Sequence, residues 1–176
     1  GDGINDYILG AYHSSGSNGS YSGKTYVVFG REDNNDSIKI SDIEGGKGGF
    51  VVSGERKNDK LGIEVASAGD INGDGLNDIV LGTYNNDSNG YESGSAYLIY
   101  GKADTNAINI SENINEFKEG IIIRGVKNGD KTGNSVSRGG DINGDGIGDL
   151  IIGRGGGKGK ADIIFGSAAH AFTEHS

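Results

Sequence analysis

The strongest constraint on how this chain folds is that it repeats itself. Residues 69–82, Gly-Asp-Ile-Asn-Gly-Asp-Gly-Leu-Asn-Asp-Ile-Val-Leu-Gly, return at 140–153 as Gly-Asp-Ile-Asn-Gly-Asp-Gly-Ile-Gly-Asp-Leu-Ile-Ile-Gly, about 71 residues later. The second half of the phrase also opens the chain, as Gly1 to Gly10. Other landmarks keep the same period. Gly49-Phe50-Val51-Val52-Ser53-Gly54 is matched by Gly120 to Gly125, Tyr26-Val27-Val28-Phe29-Gly30 by Tyr97 to Gly101, and a shorter Ile163-Ile164-Phe165-Gly166 follows. A unit of this kind cannot bury its apolar faces alone, so successive units must stack on one another.

The apolar runs are four to six residues long, rich in Val, Ile, Tyr and Phe, and bounded by Gly, Asn, Asp and Ser, which is the pattern of strands. Ile38-Lys39-Ile40-Ser41 and Ile108-Asn109-Ile110-Ser111 alternate with period two and read the same way. No stretch sustains helical periodicity over ten residues. The expected fold is therefore all-β, with blades of four-stranded antiparallel sheet of the propeller type. Three segments divide the chain: a partial repeat at 1–47, a complete repeat at 48–118, and a repeat lacking its last part, with a tail, at 119–176. Closed propellers typically use four to eight blades. About two and a half units make an incomplete ring, so the chain is expected to be a piece of a longer protein or to complete its array with other chains.

Thirty-five glycines and no proline suit a chain full of tight turns, and the absence of cysteine removes disulfides and thiolate zinc sites as staples. No apolar run is long enough to cross a membrane as a helix. A net charge of −9 argues against nucleic acid as a partner and in favour of cations.

The repeated phrase supplies a cation site. Calcium takes six to eight hard oxygen ligands from carboxylates, amides, a main-chain carbonyl and water. With Asp70 as position one, Asn72 and Asp74 fall at three and five, Gly75 permits the sharp turn, Leu76 offers its carbonyl and Asp78 closes at nine. Asp141, Asn143, Asp145, the Ile147 carbonyl and Asp149 repeat the set at the same spacing. Acids crowded this closely repel one another without a cation, and two bound calcium ions would bring −9 to −5. An EF-hand is rejected, because position twelve is Leu81 or Ile152 where a bidentate acid is needed. Magnesium prefers a tighter octahedron. At the start of the chain Asp2, the Ile4 carbonyl and Asp6 match positions five, seven and nine of a partial metal loop.

The segment from Leu61-Gly62 through Asp70, followed by the loop and Gly82-Thr83-Tyr84, resembles the FG-GAP repeat of integrin α-subunit propellers and of many bacterial surface proteins. Thr132-Gly133 opens the next copy in the same way. The resemblance implies a seven-bladed propeller when complete, calcium in loops on one face, held by Asp70, Asn72, Asp74, Asp78 and their counterparts, and adhesion or ligand binding on the opposite face. The family's Phe is Leu61 and Thr132 here, and its Gly-Ala-Pro becomes Gly10-Ala11-Tyr12, Gly82-Thr83-Tyr84 and Gly153-Arg154-Gly155. These departures suggest a distant, prokaryotic member, secreted or on a cell surface.

Nothing in the chain marks a catalyst. His13, His170 and His175 read as solvated, no nucleophile elbow surrounds any serine, and the clustered carboxylates are committed to metal. The glycine- and lysine-rich run from Gly153 to Lys160 lacks phosphate-loop spacing and reads as a shortened hairpin. Lys57 to Lys60 and Lys127 to Lys131 could form an exposed recognition loop, but read first as polar connections between units. Tyr84 and Tyr91 could line a sugar platform, whereas Tyr100 ends a strand run. The expected role is a calcium-binding extracellular adhesion or ligand-binding scaffold for a protein or glycan. The alternatives are the non-catalytic domain of a secreted enzyme, or a structural subunit that self-associates.

Overall fold

The computed structural model describes residues 3–32, 37–110 and 119–168. Three antiparallel sheets account for almost all of its regular structure. The first contains β1 (Tyr7–Ala11), β2 (Lys24–Val28) and β3 (Gly49–Ser53); the second β4 (Glu64–Gly69), β5 (Asp78–Thr83), β6 (Ser95–Ile99) and β8 (Gly120–Arg124); the third β9 (Thr132–Gly140), β10 (Asp149–Arg154) and β11 (Lys160–Ile164). The two-residue strand β7 (Ile108–Asn109) leaves the second unit and pairs in parallel with Val52 and Ser53 of β3. The fold is all-β, with blade-like sheets in an open array and, among the described residues, no closed barrel. The second sheet takes its fourth strand from residues 120–124, so a sheet and a sequence repeat are offset in phase.

The sheets stack as the repeats require. Register pairs Ile79 with Ile99 and Leu81 with Tyr97, so these residues share one face of the middle sheet while Val80 and Leu98 share the other. The first face meets Val27, Phe50 and Val52 of the first sheet, and the second meets Val136, Leu150 and Ile152 of the third. Covered on both faces, the middle strands are unbroken apolar runs; each fully buried Leu or Ile stabilises the stack by about 1.5–3 kcal/mol. Glycine sets how closely the sheets approach. A Cβ on Gly82 would lie 2.2 Å from the Gly133 carbonyl oxygen, and one on Gly10 would lie 2.0 Å from that of Gly62. The same pair of backbones thus meets at both joints. Leu61 and Thr132, in the positions of the family's Phe, are fully buried beside these contacts.

The two ends of the sheets carry different connections. Residues 70–77 and 141–148 join β4 to β5 and β9 to β10 at one end. The hairpins 12–23, 84–94 and 155–159 lie at the other, with the connections 54–63 and 125–131 that lead from one sheet to the next. The run from Gly153 to Lys160 forms the end of β10 and a short hairpin turn, as expected.

One expectation is corrected. Ile38-Lys39-Ile40-Ser41 does not pair as a strand; residues Ile40–Glu44 form a single helical turn, α1, closed by the Gly46 amide on the Ile43 carbonyl. The counterpart Ile108–Asn109 finds the edge of β3, whereas Ile38 and Ile40 meet no such edge and stay exposed. The helix instead buries Ile43 against Tyr26, Val28 and Val51. Among the described residues no helix is long and apolar enough to cross a membrane.

Candidate metal centre

Each acidic loop is entered through a β-bulge whose glycine, Gly69 or Gly140, has φ of 74° or 78°. Two further left-handed glycines follow in each loop, Gly73 and Gly75 at 74° and 88°, Gly144 and Gly146 at 77° and 87°. A side chain at these angles would be strained. Gly3, with φ of 88°, continues the pattern into the partial loop at the start of the chain.

The side chains organise the backbone in the same way in both copies. Asp70 accepts the Asp74 and Gly75 amides at 3.0 and 2.9 Å, and Asp141 accepts those of Asp145 and Gly146 at 3.0 and 2.9 Å. Asn72 Oδ1 accepts the Asp74 amide while its Nδ2 donates to Asp74 Oδ2, and Asn143 repeats both bonds with Asp145. Asp74 and Asp145 accept the amides of Leu76 and Ile147, each at 2.8 Å.

The closing aspartates do more than sequence reasoning assigned to them. Asp78 is fully buried and accepts the Ile71 amide on one oxygen and the Gly101 amide on the other, at 2.8 and 2.7 Å. Asp149 accepts Ile142 and Gly166 at 2.6 and 2.9 Å, and Asp6 accepts Gly30 at 2.8 Å. Position nine therefore ties the loop to the far end of the second strand that follows it. The signal was present in the sequence as the glycine that ends each of those strands. Burial pushes the Asp78 carboxyl up to about 6; the two amides oppose the shift, and Asp74 and Asp70 add to it.

These donors fit a hard cation in type. They are all oxygens, and a carboxylate that accepts one or two N–H groups keeps further lone pairs. Among the described residues no hydrogen bond takes the carbonyl of Leu76 or of Ile147. Among the described residues no lysine or arginine forms an ion pair with any of the six loop carboxylates. The side chains are nonetheless engaged with the loop's own amides. No group of three or more His, Cys, Asp or Glu side chains forms a cage among the described residues.

The two loops differ in surroundings. Ile71 is fully buried and its carbonyl accepts the Ser167 amide at 3.0 Å, so the end of the third unit covers the first loop. Ile142 is 46% exposed and the second loop stands open. In the partial loop Ile4 and Asp6 are present, while Asp2 lies outside the described residues, as do His170 and His175. His13 is exposed.

Residues 62–99 match the FG-GAP repeat family. Integrin alpha-PS5 of Drosophila melanogaster is 34% identical over 119 residues, which cover 66% of this chain and 11% of that protein. The matched segment thus spans about a tenth of this animal relative, and the prokaryotic origin expected from the departures finds no support in it. With the repeat family matched across the first acidic loop and the same construction in the second, the chain is an FG-GAP repeat protein of integrin-like type.

Proposed function

We propose that the chain is a calcium-stapled, non-catalytic scaffold segment of an extracellular or cell-surface adhesion protein. Calcium is held by Asp70, Asn72, Asp74, Asp78 and the Leu76 carbonyl, and by Asp141, Asn143, Asp145, Asp149 and the Ile147 carbonyl. The supporting observation is the duplicated loop itself: two copies with matching backbone angles and, among the described residues, six carboxylates without a cationic partner and a free carbonyl at position seven of each. The ion's contribution is charge: it offsets carboxylate repulsion and holds a glycine-rich loop that the sheets alone leave open on one side. The partial loop, with Ile4 and Asp6, is proposed to share the closing geometry only.

Thermal unfolding with and without calcium tests this reading. A ligand present at a hundred times its Kd stabilises by about 2.7 kcal/mol per site, so melting is expected to rise with calcium. Asp74→Ala and Asp145→Ala each remove part of the rise. Equal melting of variants and parent in excess calcium refutes the assignment.

A second reading has its own observation. Tyr7 and Leu9 of the first sheet and Ile38 and Ile40 at the start of α1 are 40–65% exposed, whereas their repeat counterparts Ile79, Leu81, Ile108 and Ile110 are buried against the sheet before them. Self-association through these residues predicts a calcium-independent, concentration-dependent mass by light scattering.

A further inference from the structure

The acidic loops occupy one end of the sheets, and the opposite end has the reverse character. There the acids are mostly consumed by cations of the same end. Glu55, buried, holds Arg56 at 3.0 Å and Arg124 at 3.1 Å; Glu92 holds Lys131 at 3.0 Å; Asp130 and Asp162 share Arg154. One buried carboxylate facing two guanidiniums leaves a positive surplus at the surface, where the Arg56 side chain is 55% exposed. Lys57, Lys127 and Lys158 are exposed and form no ion pair among the described residues. Against them stand exposed Asp87 and Glu64.

Lys57 and Lys127 occupy matching positions in two successive connections, Lys158 lies in the hairpin of the third sheet, and their loops are joined. The Asn58 amide donates to the Ser20 carbonyl, Gly129 to Tyr91, and Gly156 to Asp130, at 3.0, 2.8 and 3.1 Å, and Asn86 Nδ2 donates to Asp59 at 2.8 Å, so hairpins and connections form one continuous ridge. Aromatic rings stand along it. Tyr12, Tyr21 and Tyr91 are 39%, 50% and 69% exposed, and His13 lies between the first two with ring centroids 4.3 and 5.6 Å away. Stacked sheets lie about 10 Å apart, so the equivalent lysines Lys57 and Lys127 are separated along the ridge by a distance of that order. A chain polymer with regularly spaced acid groups and flat C–H faces matches both features. Lysines take its carboxylate or sulfate groups, and tyrosine faces take its sugar rings. An acidic peptide shares the charge but has no such faces for the tyrosines.

We propose that the hairpin end binds an acidic glycan, with Lys57, Lys127 and Lys158 as the charge contacts and Tyr12, Tyr21 and Tyr91 as the stacking platform. This rests on the reading of the chain as an adhesion scaffold and names its ligand class.

The test immobilises chondroitin sulfate, hyaluronan, neutral dextran and polyglutamate, and measures binding of the full chain in calcium over a range of salt. Retention on the acidic glycans that weakens with salt, without retention on dextran, is expected. The triple variant Lys57→Glu, Lys127→Glu, Lys158→Glu is expected to bind about tenfold or more weakly with unchanged melting. Tyr12→Ala with Tyr91→Ala is expected to weaken glycan binding and leave the salt dependence unchanged. No binding to either acidic glycan, equal binding by the triple variant, or tighter binding to polyglutamate overturns the proposal. Calcium melting curves on the same samples separate the two readings: a calcium shift without glycan binding refutes only this inference, and glycan binding without a calcium shift refutes only the metal assignment.

Discussion

Asp59 is the charged group whose removal tells most about how the sheets are joined. It sits in the 54–63 connection between the first and second sheets, 4% exposed, and accepts the Asn86 side-chain amide at 2.8 Å. No lysine or arginine pairs with it among the described residues. Burial pushes its carboxyl up from 3.8 to about 7; the Asn86 bond and Arg56 oppose the shift, while Glu55 and Asp87 add to it. Because the folded pKa lies above the unfolded one, the folded state binds the extra proton between the two values, and stability falls as pH rises through that window. Integrated from about pH 5 to about pH 8, the loss is about 2.5 kcal/mol, at about 1.4 kcal/mol per unit. Asp59→Asn keeps the side chain's shape and its acceptor for Asn86 while removing the charge. Urea unfolding of parent and variant across that range, in saturating calcium, is the assay. The variant is expected to gain on the parent by about 2.5 kcal/mol between the two pH values. Asp78, also raised, is common to both proteins and drops out of the difference. Parallel stability curves would show that Asp59 is solvated or paired in solution, and the account of this joint would fall.

Two further substitutions probe the same joints. Gly82→Ala places a Cβ 2.2 Å from the Gly133 carbonyl oxygen and 3.1 Å from the Glu64 Cβ. Separation of the second and third sheets should lower stability by about 1–3 kcal/mol or more in denaturant unfolding, and a change within about 0.5 kcal/mol would contradict the close approach. Arg124→Ala leaves Glu55, 5% exposed, with Arg56 and the Tyr97 hydroxyl as its remaining partners. A loss of about 3 kcal/mol is expected by the same assay, largely restored by adding Glu55→Gln; no restoration would mean that the stranded charge is not the cause.

The strands and acidic loops were legible in the sequence because each depends on local pattern. Short apolar runs ended by glycine mark strands wherever they are covered, and a loop built from its own side chains and amides needs little from the rest of the molecule. What was not legible depends on partners distant in the chain. Ile38-Lys39-Ile40 and Ile108-Asn109-Ile110 carry one pattern, yet only the second meets a strand edge, and the first ends in α1. Lys57-Asn58-Asp59-Lys60 reads as a solvated connection, and three of its residues behave so. Asp59 is buried because the hairpin that carries Asn86 closes over it, a contact 27 residues away in sequence. The third sheet lacks a fourth strand among the described residues, so the four-strand expectation holds for two sheets.

The closing aspartates also show why the two ends of this architecture have different freedom to vary. Asp6, Asp78 and Asp149 each bind the glycine amide that ends the second strand onward, and the separations are 24, 23 and 17 residues. The contact is constant although the spacing is not. The difference lies in the hairpins, which turn at the other end of the sheets: residues 155–159 replace the longer spans 12–23 and 84–94. A hairpin can therefore shorten, or gain lysine and tyrosine, without moving the strand end that the aspartate reads. Substitution at the loop end breaks a contact that every unit uses, whereas substitution at the exposed hairpin positions, such as Lys158 or Tyr91, changes only what the surface presents. Surface contacts in such a stack are free to change at the hairpin end, where Lys57, Lys127, Lys158, Tyr12, Tyr21 and Tyr91 are exposed.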